Sequence, residues 1–362
     1  MPIAIEVFEG NTADPKTLAA QIAKLKDRFG LARVCLVGDR GMLTSARITD
    51  ELRPAQLDWI SALRAPQIKA LVATGALQLS LFDEQDLVEI ASPDFPGERL
   101  VCCHNPALAD ERTRKRGELL AATEKDLAKI AAATRRPRRP LRGRDKIALR
   151  VGKVINHYKM AKHFTIDITD DEAFTFTRNT EDIAAEAALD GIYVLRTSLP
   201  TDTLTDDDVV LRYKSLADVE RFFRCLNGEL DVRPIRHRLA DRVRAHMFLR
   251  MLSYYISWHM KAALAPILFV DNDKPAAAAK RTNPLAPAQR SDEALTKAAR
   301  KRTDDHTPAH SFTSLLADLA TICANQIQPA NDMPAFTKIT TPTPLQRRAF
   351  ELLAVSHRLG YT

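Results

Sequence analysis

The chain has 362 residues, of which 45% are hydrophobic and 27% are charged, the composition of a globular protein with room for two or three domains. Lys and Arg outnumber Asp and Glu by 53 to 46, and the resulting net charge of +7 favours an anionic partner such as nucleic acid. No apolar run reaches the roughly 18 residues of a membrane span, and the first twenty residues lack a signal-peptide pattern, so we expect a cytoplasmic protein that does not enter the membrane.

The first 65 residues alternate between strand and helix patterns. Short apolar runs separated by capped helical segments are typical of an α/β layer with helices on both faces of a sheet. Gly30 marks the end of the first helix, and an apolar run leads to Asp39. The predicted elements are a strand at 3 to 8, a helix from Pro15 to Arg28, a strand at 33 to 38, a helix from Ser45 and a strand at 58 to 64.

The pattern changes between residues 66 and 191. Here we expect a short helix, a pair of strands between 77 and 103, a charged helix from 107 to 133 and further strands between 147 and 178. Cys102, Cys103 and His104 fit a strand better than a metal site, because adjacent strand residues point to opposite faces and no second pair stands at zinc spacing. The five cysteines of the chain are scattered and are read as reduced thiols.

Residues 135 to 144 contain six arginines and two prolines. This composition predicts a solvated loop that cannot pack into a core, and basic loops of this kind commonly bind nucleic acid. Arg138 and Arg139 are therefore candidate DNA contacts.

The last part of the chain is predicted to be mostly helical. A strand at 192 to 197 precedes a helix from Asp206 to Leu226, which Thr205 can cap. A second helix from 241 to 264 carries a Met and aromatic stripe that we expect in the core. Residues 271 to 310 are predicted to be a linker, followed by helices at 312 to 324 and 345 to 359.

Two carboxylates are the candidate catalytic and metal-binding residues. Asp39 stands at a strand end, whereas Glu220 shares one predicted helix face with Tyr213, Leu216 and Asn227, and Arg224 follows one turn later. Such a face can hold a divalent ion and grip phosphate oxygens. An ordinary Glu–Arg pair on a solvated helix explains the same spacing.

These residues carry a resemblance. The segment from Tyr213 to His237 resembles the third-acid region of bacterial insertion-sequence DDE transposases, in the branch with a Tyr, Arg, Glu, Lys signature. Asp39, within Val-Gly-Asp-Arg-Gly-Met-Leu, is similar to the second aspartate of that family. The turn at residues 10 to 14 and the helix from Leu239 to Lys261 are similar to the family as well.

The resemblance implies an α/β fold with an RNase H-like core, an α+β insertion domain and a helical C-terminal region. It also implies metal-dependent hydrolysis of a phosphodiester at each element end, then attack of the freed 3′ hydroxyl on target DNA, with Mg²⁺ or Mn²⁺ as the cofactor. The implied partners are element ends, target DNA and further copies of the chain in a DNA complex. The expected division is residues 1–65 and 191–270 for the core, 66–190 for the insertion, 271–310 for a linker and 311–362 for the C-terminal segment.

The chain also departs from the family pattern. The first aspartate has no counterpart, since the strand at 3 to 8 offers only Glu6 and Glu9, and Leu216 and Asn227 stand where the family has Arg and Lys. We therefore expect an N-terminally truncated, impaired transposase with Asp39 and Glu220 as its acids. An incomplete acid set predicts poor magnesium affinity.

Between residues 221 and 250 there are eight arginines and two histidines, which favours contacts with DNA phosphates. Two other functions fit the same residues: a non-catalytic DNA-binding remnant that joins or inhibits an intact relative, and a general nuclease of RNase H-like fold. The predicted DNA contacts in this part are Tyr213, Arg221, Arg224, Arg233 and Arg236.

Overall fold

A computed structural model describes residues 4–31, 33–169, 174–281, 283–303, 306–329 and 333–356. The chain forms two compact units. One, here the sheet unit, comprises residues 22–213, and the other, here the helical unit, comprises residues 1–21 and 214–362. Each is described by itself.

The sheet unit is organised around a five-stranded mixed sheet with the order β1-β2-β7-β4-β3. The first two strands are parallel, and the other neighbours are antiparallel. Smaller two-stranded sheets join β5 to β6 in this unit and β8 to β9 in the helical unit. The strands are β1 (Cys35–Val37), β2 (Asp58–Ala62), β3 (Leu87–Ile90), β4 (Arg99–His104), β5 (Phe164–Ile168), β6 (Phe174–Arg178), β7 (Ile192–Thr197), β8 (Ala324–Ile327) and β9 (Phe336–Ile339).

The central strand β7 pairs along its whole length with β4, with Val101 opposite Leu195. Five of its six residues are buried, as expected for a strand covered on both faces. One side of the sheet packs into a core that includes Leu63, Leu71 and Leu100. A mixed α/β architecture with such a sheet agrees with the predicted fold class and is compatible with an RNase H-like fold.

Helices make up most of the remaining described chain. They are α1 (Leu18–Ala23), α2 (Ser45–Arg47), α3 (Ala65–Ala73), α4 (Pro106–Thr134), α5 (Arg144–Tyr158), α6 (Thr180–Ala187), α7 (Asp206–Lys214), α8 (Leu216–Gly228), α9 (Ala240–Ala263), α10 (Lys274–Ala279), α11 (Asp292–Arg300), α12 (Phe312–Leu319) and α13 (Pro344–Leu352). Short 3₁₀ or π-helical segments lie at Asp14–Thr17, Lys24–Arg28, Ile48–Leu52, Leu79–Phe82, Ala161–His163 and Ala265–Ile267. Within the described residues, no helix combines the length and the apolar character needed to cross a bilayer.

Two predicted strands are corrected by the structure. Residues 4–9 form no strand, and residues 1–3 lie outside the described residues; an apolar run becomes a strand only when another strand supplies its backbone partners. The strands expected from residue 147 are replaced by α5 up to Tyr158. Ile147, Val151 and Ile155 are buried on that helix at a spacing of four residues, which is the helical period.

The helix predicted from 206 to 226 is divided at Ser215 into α7 and α8. The amide of Asp218 donates to the carbonyl oxygen of Ser215 at 2.9 Å and opens the second helix. Tyr213 therefore lies on α7 in the sheet unit, whereas Glu220 lies on α8 in the helical unit. The expectation that one continuous helix carries both residues is wrong.

The helical unit differs from its predicted form in three places. None of the residues of α9 is buried, so the predicted core stripe is wrong: Phe248 is 52% exposed and Tyr255 is 42% exposed. The segment 271–310, predicted to be a linker, contains α10 and α11. The β8–β9 hairpin was not predicted. The domain boundaries derived from the sequence stay a prediction.

Candidate active site

Asp39 lies directly after β1 in a tight turn. One oxygen of its carboxylate, Oδ1, accepts hydrogen bonds from the amides of Gly41 at 2.9 Å and Met42 at 2.7 Å. The amide of Leu43 donates to the Asp39 carbonyl oxygen at 3.0 Å. These bonds hold the side chain in one orientation, and an Asp side chain that caps its own turn in this way needs no further partner.

The turn is anchored to the core by its neighbours. Leu43 is 3% exposed, and a Cβ atom added at Gly38 would lie 2.8 Å from the Leu43 Cγ atom, a separation at which atoms must move. A glycine at this position therefore lets the end of β1 approach the buried leucine. The residue itself, Asp39, is exposed, so the fold presents a fixed carboxylate to solvent.

A thiol beside this turn is chemically inert. Burial and, to a smaller extent, the nearby Asp58 carboxylate raise the pKa of Cys35 on β1 to about 11. Cys35 is therefore protonated at neutral pH, whereas a thiol must ionise to act as a nucleophile or metal ligand. The acid at the strand end, Asp39, remains the reactive candidate here.

Glu220 occupies the exposed face of α8. The opposite face of this helix buries Cys225 and Leu226, which fixes the side of the helix that faces solvent. Arg224 is exposed one turn after Glu220, whereas Arg221 pairs with Asp218 at 2.8 Å. Among the described residues Glu220 forms no ion pair, so the predicted Glu–Arg pair with Arg224 is not formed.

The predicted DNA contacts fall into two groups. Arg233 and Arg236 are exposed in the segment that follows α8, in the helical unit. Arg138 and Arg139 are exposed in the loop between α4 and α5, in the sheet unit, and the prediction of a solvated loop is confirmed there. Tyr213 is half-buried. Each group can offer positive charge to a polyanion.

Asp39 and Glu220 belong to different units, so neither unit by itself brings the two acids together. The part of the chain that the structure describes contains no group of three or more His, Cys, Asp or Glu side chains that could hold a metal ion.

Sequence reasoning missed a set of arginines near Asp39. Arg64 follows β2 and Arg196 lies on β7, and both line a pocket with Arg40. Their signal in the sequence was a basic residue directly after an apolar strand run, as in Leu63-Arg64 and Leu195-Arg196. Which strands lie side by side could not be read from this signal.

Comparisons with known proteins agree with the resemblance to DDE transposases. A family model described as the transposase DDE domain matches residues 1–256, a range that includes both Asp39 and Glu220. A search of the curated proteins and a search of the solved structures each returned no match. Members of this family act on DNA as transposases and generally use divalent metals. The chain belongs to the transposase DDE domain family.

Proposed function

We propose that the chain is the catalytic region of an insertion-sequence transposase of the Tyr-Arg-Glu-Lys branch, with Asp39 and Glu220 as its acids. The observation that carries the proposal is the Asp39 carboxylate, held by two backbone amides at a strand end within the range that the family model matches. An immobilised, exposed carboxylate at the edge of a sheet suits a reaction that depends on positioning.

The proposed reaction has two steps. In the first, water attacks a backbone phosphorus at an element end, and the bond to the 3′ oxygen breaks to leave a 3′ hydroxyl and a 5′ phosphate. In the second, this hydroxyl attacks a phosphorus of target DNA, and a target 3′ oxygen leaves. When bound, Mg²⁺ or Mn²⁺ would lower the pKa of the attacking oxygen and stabilise the leaving oxygen.

Asp39 and Glu220 are the residues that would hold this ion. Two carboxylates form a weak site for magnesium, which gives up its water ligands reluctantly. We therefore propose that the activity of this chain is impaired. The basic side chains of the helical unit, Arg221, Arg224, Arg233 and Arg236, would add affinity for DNA phosphates, together with Tyr213 and the loop residues Arg138 and Arg139.

The test is cleavage and strand transfer on labelled element ends with Mg²⁺ or Mn²⁺. Asp39→Asn keeps an oxygen that can accept the two turn amides, so this variant removes charge without removing the turn. We expect it to lower turnover at least about a hundredfold, a loss of roughly 2.7 kcal/mol in transition-state stabilisation. Glu220→Gln should behave alike. Asp50 is an exposed carboxylate in the same unit. Asp50→Asn is therefore the matched control and should leave turnover unchanged.

Turnover that persists in Asp39→Asn would contradict the assignment of this residue. Joined products separate a transposase from a general nuclease of RNase H-like fold, because the nuclease would release cut DNA alone.

A second function fits the exposed basic residues of the helical unit, Arg233 and Arg236. In this alternative the chain is a non-catalytic, DNA-binding remnant that assembles with an intact transposase or inhibits it. Salt-dependent DNA binding without metal-dependent nicking would support this alternative. Inhibition of an intact relative by added chain would support it as well. A multimeric complex on DNA is expected under both functions.

A further inference from the structure

A pocket of about 330 Å³ opens beside the turn that carries Asp39. Its size is at the lower end of the roughly 300–1,000 Å³ that small-molecule sites occupy. All of its walls come from the sheet unit. The lining residues are Arg40, Leu43, Thr44, Ser45, Ala46, Ala62, Arg64, Gln67 and Arg196.

Three of these nine residues are arginines, and none is acidic. Arg196 is buried and donates to both oxygens of Glu98, each at 2.5 Å. Glu98 also accepts from Arg53 at 3.2 Å, so one negative charge faces two guanidinium groups. Arg40 and Arg64 form no ion pair with any carboxylate in the described ranges. The pocket therefore carries an excess of positive charge.

Two of the three arginines of the pocket, Arg64 and Arg196, make hydrogen bonds that hold them in place. Arg64 Nη2 donates to the carbonyl oxygen of Arg40 at 3.3 Å, which ties the end of β2 to the turn after Asp39. Arg196 Nη1 donates to the Ser45 hydroxyl oxygen at 2.8 Å. Gln67 Oε1 accepts from the Arg64 amide at 3.0 Å. Positioned donors bind an anion at a lower entropic cost than mobile surface arginines.

The chemistry of the lining selects a compact anion with several acceptor oxygens. Arginine forks bind phosphate with two parallel hydrogen bonds, and the hydroxyl groups of Thr44 and Ser45 can donate to further oxygens. Leu43, Ala46 and Ala62 supply an apolar wall against which a sugar can pack.

We propose that this pocket binds one phosphate of a nucleic-acid backbone, gripped by Arg40 and Arg64, with the buried Arg196 adding to the positive potential. The choice of DNA as the source of the phosphate rests on the proposed function. The binding itself does not, because it requires neither a metal ion nor cleavage. The pocket would place a backbone phosphate next to the turn of Asp39.

The first experiment measures binding of the full chain to a fluorescein-labelled duplex by anisotropy, without divalent metal, over a series of salt concentrations. The Arg40→Gln/Arg64→Gln variant is expected to bind about tenfold more weakly. The slope of the logarithm of the binding constant against the logarithm of the salt concentration should be shallower by about 0.9, the value for one lost phosphate contact. Lys69→Gln removes an exposed positive charge from α3, outside the pocket, and is the matched control. An effect no larger than that of Lys69→Gln would overturn the proposal.

The second experiment separates the two sources of phosphate. Inorganic phosphate at matched ionic strength should raise the melting temperature of the wild-type chain and leave that of the double variant unchanged. If the double variant loses the stabilisation by phosphate but still binds the duplex as the wild type does, the assignment to the DNA backbone is overturned and free phosphate is the ligand. The duplex binding assay contains no divalent metal and reports binding alone, so a failure of cleavage leaves its result unaffected.

A third measurement uses the native chain and therefore does not depend on whether the double variant folds. Phenylglyoxal modification of Arg40 and Arg64 in the native chain, mapped by peptide mass spectrometry, should be slowed by a short duplex and by inorganic phosphate. Arg64→Lys keeps the charge but loses the planar fork, and its affinity for the duplex should lie between those of the wild type and the double variant. Modification rates that neither anion changes would contradict the proposal.

Discussion

The two candidate acids lie in surroundings of different construction. Asp39 follows a strand of a sheet whose central strand, β7, is almost completely buried. Glu220 lies on a helix next to α9, which has no buried residue along its 24 residues. The fold of the sheet unit thus fixes one half of the proposed site, whereas the surroundings of Glu220 depend more on local helix formation. Variants matched between the two units test this contrast.

The largest effect is expected from the buried ion pair of the sheet unit. Glu98→Ala would leave Arg196, which is 5% exposed, without its carboxylate partner, at a cost of about 3–5 kcal/mol in the free energy of unfolding. The matched change, Glu229→Ala, removes an exposed pair with Lys261 and should cost less than about 1 kcal/mol.

Urea unfolding followed by tryptophan fluorescence measures both variants. Trp59 is buried in the sheet unit and Trp258 is exposed in the helical unit, so a Trp258→Phe background isolates the signal of the sheet unit, and a Trp59→Phe background isolates that of the other. Equal losses in the two variants would remove the contrast between the units.

The second effect concerns apolar packing. Leu195→Ala would open a cavity at the centre of the sheet, where the side chain is fully buried, and should cost about 3 kcal/mol. Leu249→Ala on α9, where the side chain is 59% exposed, should change stability by less than about 0.5 kcal/mol. Thermal unfolding of both variants measures the difference. A large loss in Leu249→Ala would show that the surface of α9 is covered in solution.

The third and smallest effect is a dependence on pH. Burial would raise the pKa of Asp190, but hydrogen bonds from Arg116 and Thr113 outweigh it and hold the pKa below its usual range. A lowered carboxyl pKa stabilises the fold above the unfolded pKa, near 3.9, and this contribution is lost as pH falls through the folded pKa.

Asp190→Asn should therefore lower the free energy of unfolding by roughly 1.5–3 kcal/mol at pH 7. The further decrease in the free energy of unfolding below about pH 5 should be smaller in this variant than in the wild type. In the helical unit, hydrogen bonds from Ser291 lower the pKa of Asp271, which is less enclosed, and Asp271→Asn should have a smaller effect. Unfolding curves at pH 7 and at about pH 3 measure both. A pH dependence that Asp190→Asn leaves unchanged would contradict this assignment.

Local patterns predicted much of the fold. The strand at 192 to 197 and the start of a helix at Ser45 are confirmed by the structure, because a short apolar run and a Thr44 cap depend on neighbouring residues alone. The helix α5 was missed because its apolar residues, Ile147, Val151 and Ile155, are separated by charged ones, and a strand pattern was read in their place.

Other features depend on contacts between distant residues. The pairing of β4 with β7 joins strands about ninety residues apart, and no local pattern encodes it. For the same reason Arg40, Arg64 and Arg196 could not be grouped in advance. The division of the predicted helix at Ser215 separates Tyr213 from Glu220, although their spacing in the sequence is compatible with one uninterrupted helix.

Gly38 makes the turn of Asp39 vulnerable to a minimal genetic change. A glycine codon becomes an alanine codon through one base substitution, and the methyl group it introduces would lie 2.8 Å from the Cγ atom of the buried Leu43. The leucine would have to move, and the turn that begins at Asp39 would move with it. A single transversion can thus displace the carboxylate of Asp39 while it leaves every acidic residue of the chain intact.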